Sequence, residues 1–148
     1  MKGLDGGRIN IAAMSLGGAQ ASLQAAAEYV EGRKQFGKAL SELQSIQFKL
    51  ADMVTDMTAA RLMVHSAASM LDAKHPLATM HCAMAKRFAT DVGSKVADDA
   101  LQLHGGYGYL KDYPAEKIVR DLRVHQILEG TNQIMRHIVA RELLKASD

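Results

Sequence analysis

The stretch RVHQILEGTNQIMR, residues 123–136, places a single carboxylate, Glu129, after the apolar pair Ile127–Leu128 and just ahead of Gly130 and Thr131. An acid there is either a solvated loop charge or a positioned base. Thr131 has the side chain of a helix N-cap, and the N–H groups and dipole of the helix that follows favour negative charge beside them. An apolar wall opposes the charged form of a carboxylate while the dipole favours it, a balance that suits a general base. Two more irregular stretches, GRKQFGK at 32–38 and LQLHGGYGY at 101–109, carry groups that could hold an anionic, planar ligand. Arg33 can fork onto a phosphate. Phe36 offers a stacking face, and Gly105–Gly106 let a ligand approach the backbone. The same residues also serve as ordinary turn and cap residues, so spacing alone permits a site without requiring one.

Other chemistries fit less well. There are six His but no Glu-x-x-His, the spacing by which di-iron bundles aim ligands inward. His75, His81 and Cys82 lie near one another in sequence, yet they point in different directions, so no metal is expected. HGGYG lacks the Lys-Ser/Thr ending of a phosphate-cradling loop and the last glycine of the dinucleotide fingerprint. No Ser or Cys stands in a nucleophile elbow.

The elements that must position these stretches read as helices. Ile9, Ala12, Leu16, Ala19, Leu23, Ala26 and Val30 recur at steps of three and four, predicting a helix from about Arg8 to Gly32. Within it Gly17–Gly18 would let a neighbouring backbone come close. A second helix is expected from Ser41, where SELQ has the spacing of a capping box between Ser41 and Gln44. Its seam is Ile46, Leu50, Met53, Met57, Ala60, Val64, Ala67 and Leu71. DAKHP ends it, because the residue before Pro76 resists the helical region. A third helix carries Ala78, Cys82, Ala85, Ala89, Val92, Val96 and Leu103, with Asp99 falling on the line and expected at the bundle edge. A short helix follows from Pro114 to about Arg123, and a last one runs from Thr131 to about Lys145. The expected fold is all-α: an antiparallel up-down four-helix bundle with one extra short helix. Loops of such a bundle can gather at its ends, where ligands bind.

The bulk numbers agree with one helical domain. The chain has 148 residues, 48% apolar and 23% charged, with only 2 Pro, which argues against disorder. The net charge of +2 is interspersed, so neither nucleic acid nor an anionic membrane is expected as a partner. No apolar run reaches the length of a bilayer span, and no signal segment is seen. The lone Cys82 excludes an internal disulfide and fits a reducing compartment; with the many Met it is expected as core filler.

Taken together, GLDGGRINIAAMSLGGAQ, RKQFGKALSELQSIQFKLADM and ALQLHGGYGYLKDYPAEKIVRDLRVHQILEGTNQIMRHIVARELL resemble, in this order, the C-terminal helical domain of flavin-dependent acyl-CoA dehydrogenases. Within that family, HGGYGYLKDY together with RVHQILEGTNQIMR resembles the short, branched-chain members of the isobutyryl-CoA kind. The resemblance covers nearly the whole chain. It implies oxidation of an acyl-CoA thioester to the 2-enoyl-CoA, with Glu129 removing the α-proton and FAD taking the β-hydride. It also implies that the Glu129 backbone N–H and a flavin ribityl hydroxyl hold the thioester carbonyl, an oxyanion hole for the enolate. Some members carry the base on the first long helix, where INIAAMSLGGAQ offers no acid.

By the same resemblance, Arg33, Phe36 and Gln44 reach FAD, several of them across a subunit interface. Gln102, Gly105 and Gly106 line the diphosphate of a neighbouring subunit's FAD, and Thr131, Asn132 and Gln133 meet FAD beside the base. Asp5 and Arg8 lie near coenzyme A, Arg141 near substrate, and Gly130 at the thioester. Gln44 has the capping box as a competing role. His104 is read as an ordinary helix-end residue, and Tyr107 and Tyr109 as shaping the acyl pocket or packing on the turn. The implied partners are an acyl-CoA substrate, an electron-transfer flavoprotein as acceptor, and further copies of the chain in a dimer or tetramer. The implied location is the cytoplasm of a bacterium or the mitochondrial matrix. Family members also have an N-terminal helical domain and a middle β-domain, so the chain reads as residues 1–148 of a C-terminal domain, expected to be inactive alone. The competing expectation is a stand-alone helical oligomerisation or binding module with a vestigial flavin site.

Overall fold

A computed structural model describes residues 2–145. Helix α1 spans Asp5–Gly32, α2 Gln44–Asp72, α3 Ala78–His104, α4 Ala115–His125 and α5 Asn132–Lys145. The architecture is the expected all-α bundle with α4 as the extra piece. A small antiparallel ribbon, β1 (Lys34–Gln35) and β2 (Lys38–Ala39), joins α1 to α2. Its two-residue tip, Phe36–Gly37, has φ of 55° and 79°, the paired left-handed geometry of a type I′ hairpin.

The predicted seams are the core. Ala12, Leu16, Ala19, Leu23, Ala26 and Val30 of α1 meet Met53, Met57, Ala60, Val64 and Ala67 of α2, and Cys82, Ala85, Ala89, Val92, Val96 and Leu103 of α3. Ala at so many of these positions lets the helix axes approach, and each larger buried side chain contributes about 1.5–3 kcal/mol. Asp99 sits at the bundle edge, as expected, and is ion-paired with Lys49 of α2. Burial pushes the Cys82 thiol up to about 11, which fits an inert filler in the core.

Helix α3 is buried along a second seam as well: Ala83, Lys86, Thr90, Gly93, Ala97, Ala100 and His104. That seam lets one helix be the centre of the molecule, with α4 and α5 packed on it and a small separate core of Ala83, Met135 and Ile138 beneath α5. The apolar spacing picks out only the first seam, because Lys86 and Thr90 interrupt the second with polar side chains.

Three local expectations change. The first helix begins one turn earlier, at Asp5 rather than Arg8, which places an acid where the helix dipole favours one. Ser41 and Gln44 do not form a capping box. Glu42 accepts the Ala39 N–H at 2.9 Å instead, because Leu40–Glu42 winds as a 3-10 turn ahead of α2. Gly17 has open space at its Cβ position, and Gly18 receives the side chain of Leu122 rather than a backbone. The close approach of α1 to another long helix is at Gly93 of α3, where a Cβ would lie 3.1 Å from the Ser15 carbonyl oxygen.

Candidate functional site

The irregular stretches do not converge on one place. Glu129 lies against Gly7, near the start of α1, whereas Arg33 follows that helix's last residue. At 1.5 Å per residue the two positions are about 39 Å apart along the axis. One end of the bundle therefore carries the acid, and the other carries GRKQFGK and LQLHGGYGY together.

At the acid end, Glu129 is half-buried with φ 55°, followed by Gly130 at φ 94°. A Cβ added at Gly7 would sit 2.4 Å from Glu129 Oε2 and 2.7 Å from its Cδ. The bare backbone of α1 is thus the seat of the carboxylate. Among the described residues, no backbone carbonyl accepts the Glu129 N–H.

The loop that carries Glu129 is tied down from both sides. Before it, His125 Nδ1 and Ser15 Oγ are 2.8 Å apart in a buried hydrogen bond between α4 and α1. Burial lowers the pKa of this His, and a neutral ring that accepts the Ser15 hydroxyl suits that. Gln126 Nε2 donates to Asp91 Oδ1 at 2.8 Å, and the Asn132 N–H closes the loop on the Gln126 carbonyl at 3.0 Å. Lys86, fully buried in α3, donates to the Gly130 carbonyl at 2.8 Å and to Asn132 Oδ1 at 2.9 Å. Desolvation first, with Arg8 adding to it against the pull of Asp91 and Glu129, lowers the Lys86 pKa to about 8. Thr131 caps α5 as expected, accepting the Ile134 N–H at 3.3 Å.

Several residues assigned to ligands by resemblance are used inside the protein. Asn132 is buried, and its amide donates to Thr90 Oγ1 at 2.9 Å and to Asp91 Oδ1 at 2.8 Å. Its side chain anchors the loop to α3 and does not face outward. Asp5 and Arg8, each 2% exposed, form an ion pair at 2.6 Å, and Asp5 also accepts from Thr79 Oγ1 at 2.7 Å. The earlier helix start explains this inward turn, since it puts the two residues at i and i+3 on one face. Arg141 is half-buried and binds Glu142 Oε1 through both Nε (3.0 Å) and Nη2 (2.9 Å). Nine residues along α5 set it roughly 14 Å beyond Asn132, so it does not join Glu129. Gln133 is exposed beside the loop.

The other end is open. Arg33, Gln102, Gly105 and Gly106 line a cleft of about 680 Å³ with Tyr29, Leu40, Ile46, Lys49 and Tyr107 among its other walls. Gly105 has φ 59°, and neither it nor Gly106 has an atom within 4 Å of the Cβ position, so the backbone is bare on the cleft side. Arg33 stacks over Tyr107 at 5.5 Å. His104 does end α3, but it is buried, stacked on Tyr29 at 4.4 Å and edge-on to Tyr113 at 5.7 Å. Tyr109 stands apart, 79% exposed. Phe36, at the hairpin tip, is 87% exposed. Gln44 is exposed at the first position of α2, with no capping duty to hold it. Among the described residues, no three His, Cys, Asp or Glu side chains gather in a way that could hold a metal ion, and no helix is long and apolar enough to cross a membrane.

Lys86, Gly7, Ser15 and His125 were missed in the sequence reading. The step pattern 83-86-90-93-97 was the available signal for Lys86. For Gly7 there was none, because its role is a contact with a residue more than a hundred positions away.

Comparison with known proteins adds the following. The family model described as "Acyl-CoA dehydrogenase, C-terminal domain" matches residues 1–144. The chain is 59% identical over 145 residues to the mitochondrial isobutyryl-CoA dehydrogenase of Dictyostelium discoideum, covering 98% of this chain and 35% of that protein. It is 45% identical to the CarC subunit of the caffeyl-CoA reductase-Etf complex of Acetobacterium woodii, over 98% of this chain and 38% of that one. The butyryl-CoA dehydrogenase structure from Megasphaera elsdenii superposes with a TM-score of 0.92 at 46% identity, covering 95% of this chain and 37% of the other. The chain thus spans little more than a third of the length of these relatives.

Proposed function

Because the chain belongs to the acyl-CoA dehydrogenase family, as its C-terminal domain, we propose that it supplies the catalytic base and one wall of a flavin site for α,β-dehydrogenation of a short or branched acyl-CoA. The observation that carries this reading is the seat of Glu129: a half-buried carboxylate resting on a glycine, on a loop held by buried polar side chains. An α-proton next to a thioester is weakly acidic, so a base must be held close to the carbon it attacks, in a fixed direction. Glu129 takes the α-proton on its carboxylate. Its own N–H, which no described backbone carbonyl accepts, is available to the thioester oxygen where negative charge builds up. Gly130, with no side chain, leaves room for that end of the substrate.

The open end fits a flavin nucleotide. Arg33 would pair with a diphosphate, the bare Gly105–Gly106 backbone would let it approach, and Gln102 lies on the same cleft. Exposed Phe36 and Gln44 stand ready for contact on the hairpin and α2, and Thr131 and Gln133 would meet the cofactor on the acid side. When bound, FAD would supply the acceptor for the β-hydride. Since about 39 Å of helix separates the two ends, we assign them to two different flavins. Each site is then completed by a second copy of the chain in a dimer or tetramer. An electron-transfer flavoprotein would accept the electrons, a reading supported by the CarC relative, whose name places it in a complex with Etf. A bacterial cytoplasm or a mitochondrial matrix would be the compartment.

The test is a titration of the purified chain with FAD, following quenching of flavin fluorescence. Saturable binding is expected, weakened about tenfold or more in Arg33→Ala as a charge-assisted contact is lost and unchanged in Glu129→Gln. Colourless oligomers that bind no FAD would favour the module reading instead.

A further inference from the structure

The left-handed turn at Glu129 needs a restraint. A non-glycine residue at positive φ costs on the order of 1–2 kcal/mol and persists only where its surroundings over-determine it. Gly130 continues the turn at φ 94°. The side chain directly behind it is Lys86, with no exposed surface at all. Burying an ammonium is expensive, and a hydrocarbon of the same length would fill the space at lower cost. The cost is offset only if the amine does something a methyl could not.

We propose that Lys86 is the positioning residue for Glu129: from α3 its amine holds the Gly130 carbonyl and the Asn132 side chain, and so sets the turn that delivers the carboxylate onto Gly7. This rests on the reading of Glu129 as the base.

The geometry has two parts. The 2.8 Å contact to the Gly130 carbonyl fixes the peptide just after the acid. The 2.9 Å contact to Asn132 Oδ1 fixes the first residue of α5, and Asn132 is itself held by Thr90 and Asp91. The amine thus bridges the middle of the loop to its far end across 44 and 46 residues of sequence. A weaker electrostatic contribution accompanies these contacts: the Glu129 carboxylate favours the charged amine, after the larger influences of burial, Asp91 and Arg8. Lys86 touches neither substrate nor cofactor in this scheme and acts only through Glu129.

The test is hydrogen exchange of the chain with Lys86→Met, which keeps the side-chain volume and removes the donors. The Asn132 amide, which closes the loop on Gln126, is expected to exchange about tenfold faster or more, with α1 and α2 unchanged. Wild-type exchange in the variant overturns the proposal. Should Lys86→Met fail to fold, the wild type decides by NMR: a scalar coupling between Lys86 Nζ and the Gly130 carbonyl carbon is expected, and its absence overturns the proposal.

In a full-length dehydrogenase carrying this domain, Lys86→Met is expected to lower kcat on the order of 100-fold with KM for acyl-CoA little changed. A merely structural lysine would lower Tm and leave kcat per folded molecule intact. Failure of the base reading shows separately, as turnover that survives Glu129→Gln, and leaves the loop-exchange result standing.

Discussion

The two ends of α1 are built in opposite ways. Around Glu129 several polar side chains are turned inward and paired, though Arg8 Nε is left without a partner among the described residues: Asp5 with Arg8 and Thr79, Ser15 with His125, Lys86 with Gly130 and Asn132. Around Arg33 side chains are turned outward, apolar Phe36 as well as polar Gln44 and Gln102, on a hairpin, a helix start and a helix end. The aromatic group Tyr29, His104, Tyr113 and Tyr107 stiffens the floor there. On the function proposed above, the difference separates two tasks. A base that must meet one proton needs its geometry fixed before the substrate arrives. A surface that half-encloses a large cofactor can stay open until another surface closes over it.

The comparison can be broken at the tight end first. Gly7→Ala would put a methyl where Glu129 Oε2 lies, and the flexible carboxylate would move aside rather than the helix. In a full-length dehydrogenase carrying the domain, kcat is expected to fall on the order of 100-fold. The same substitution is expected to leave Tm equal or slightly raised, because Ala is favoured over Gly by about 1 kcal/mol in a helix interior and by less in the first turn, where Gly7 lies. Kinetics and a thermal melt on one preparation check both halves. Loss of stability with kcat intact would mean that the seat is a packing detail.

At the open end the corresponding change is smaller. Phe36→Ala removes an almost fully exposed ring from the tip of a two-residue hairpin. The Tm of the chain is expected to stay within about 1 °C, a surface change of small cost, while FAD affinity drops several-fold. A melt and a flavin titration check it, and a large fall in Tm would contradict the idea that this end is built for a partner.

The smallest effect is in pH. The Lys86 amine titrates near 8 in the fold against an ordinary 10.5. Between those values the unfolded chain holds a proton that the folded chain has released, so stability rises with pH across the window. Below about 8 the fold bears the cost of a buried charge in full. The gap between Lys86→Met and wild type, measured by denaturant unfolding from pH 7 to pH 10, is expected to move in favour of wild type by on the order of 2 kcal/mol. A flat difference would mean that the amine is not desolvated.

Much of this was legible in the chain as a string. The apolar seams of α1, α2 and α3, the N-cap at Thr131 and the break before Pro76 follow from spacing and from local backbone chemistry, which need no neighbour. Glu129 stood out because an acid between two apolar residues and a helix start is a local oddity. The N-cap of α2 is Leu43, two residues past the expected Ser41 and without a side-chain cap, since a 3-10 turn competes with the α-helix over so short a stretch.

What remained hidden depends on distance. Whether Lys86 is a solvated charge or a clamp is decided by a carbonyl 44 residues later, and whether Gly7 is a weak point of a helix or a seat is decided by the side chain of Glu129. The inward turn of Asp5, Arg8 and Asn132 was likewise invisible, because burial is a property of the assembled bundle. Which stretches wind into helices and which faces are apolar can be read along the chain, because both follow from interactions within a few residues. Only the tertiary structure decided that the acid and the open cleft lie at opposite ends of one helix, because that depends on how rigid rods of fixed rise pack against one another.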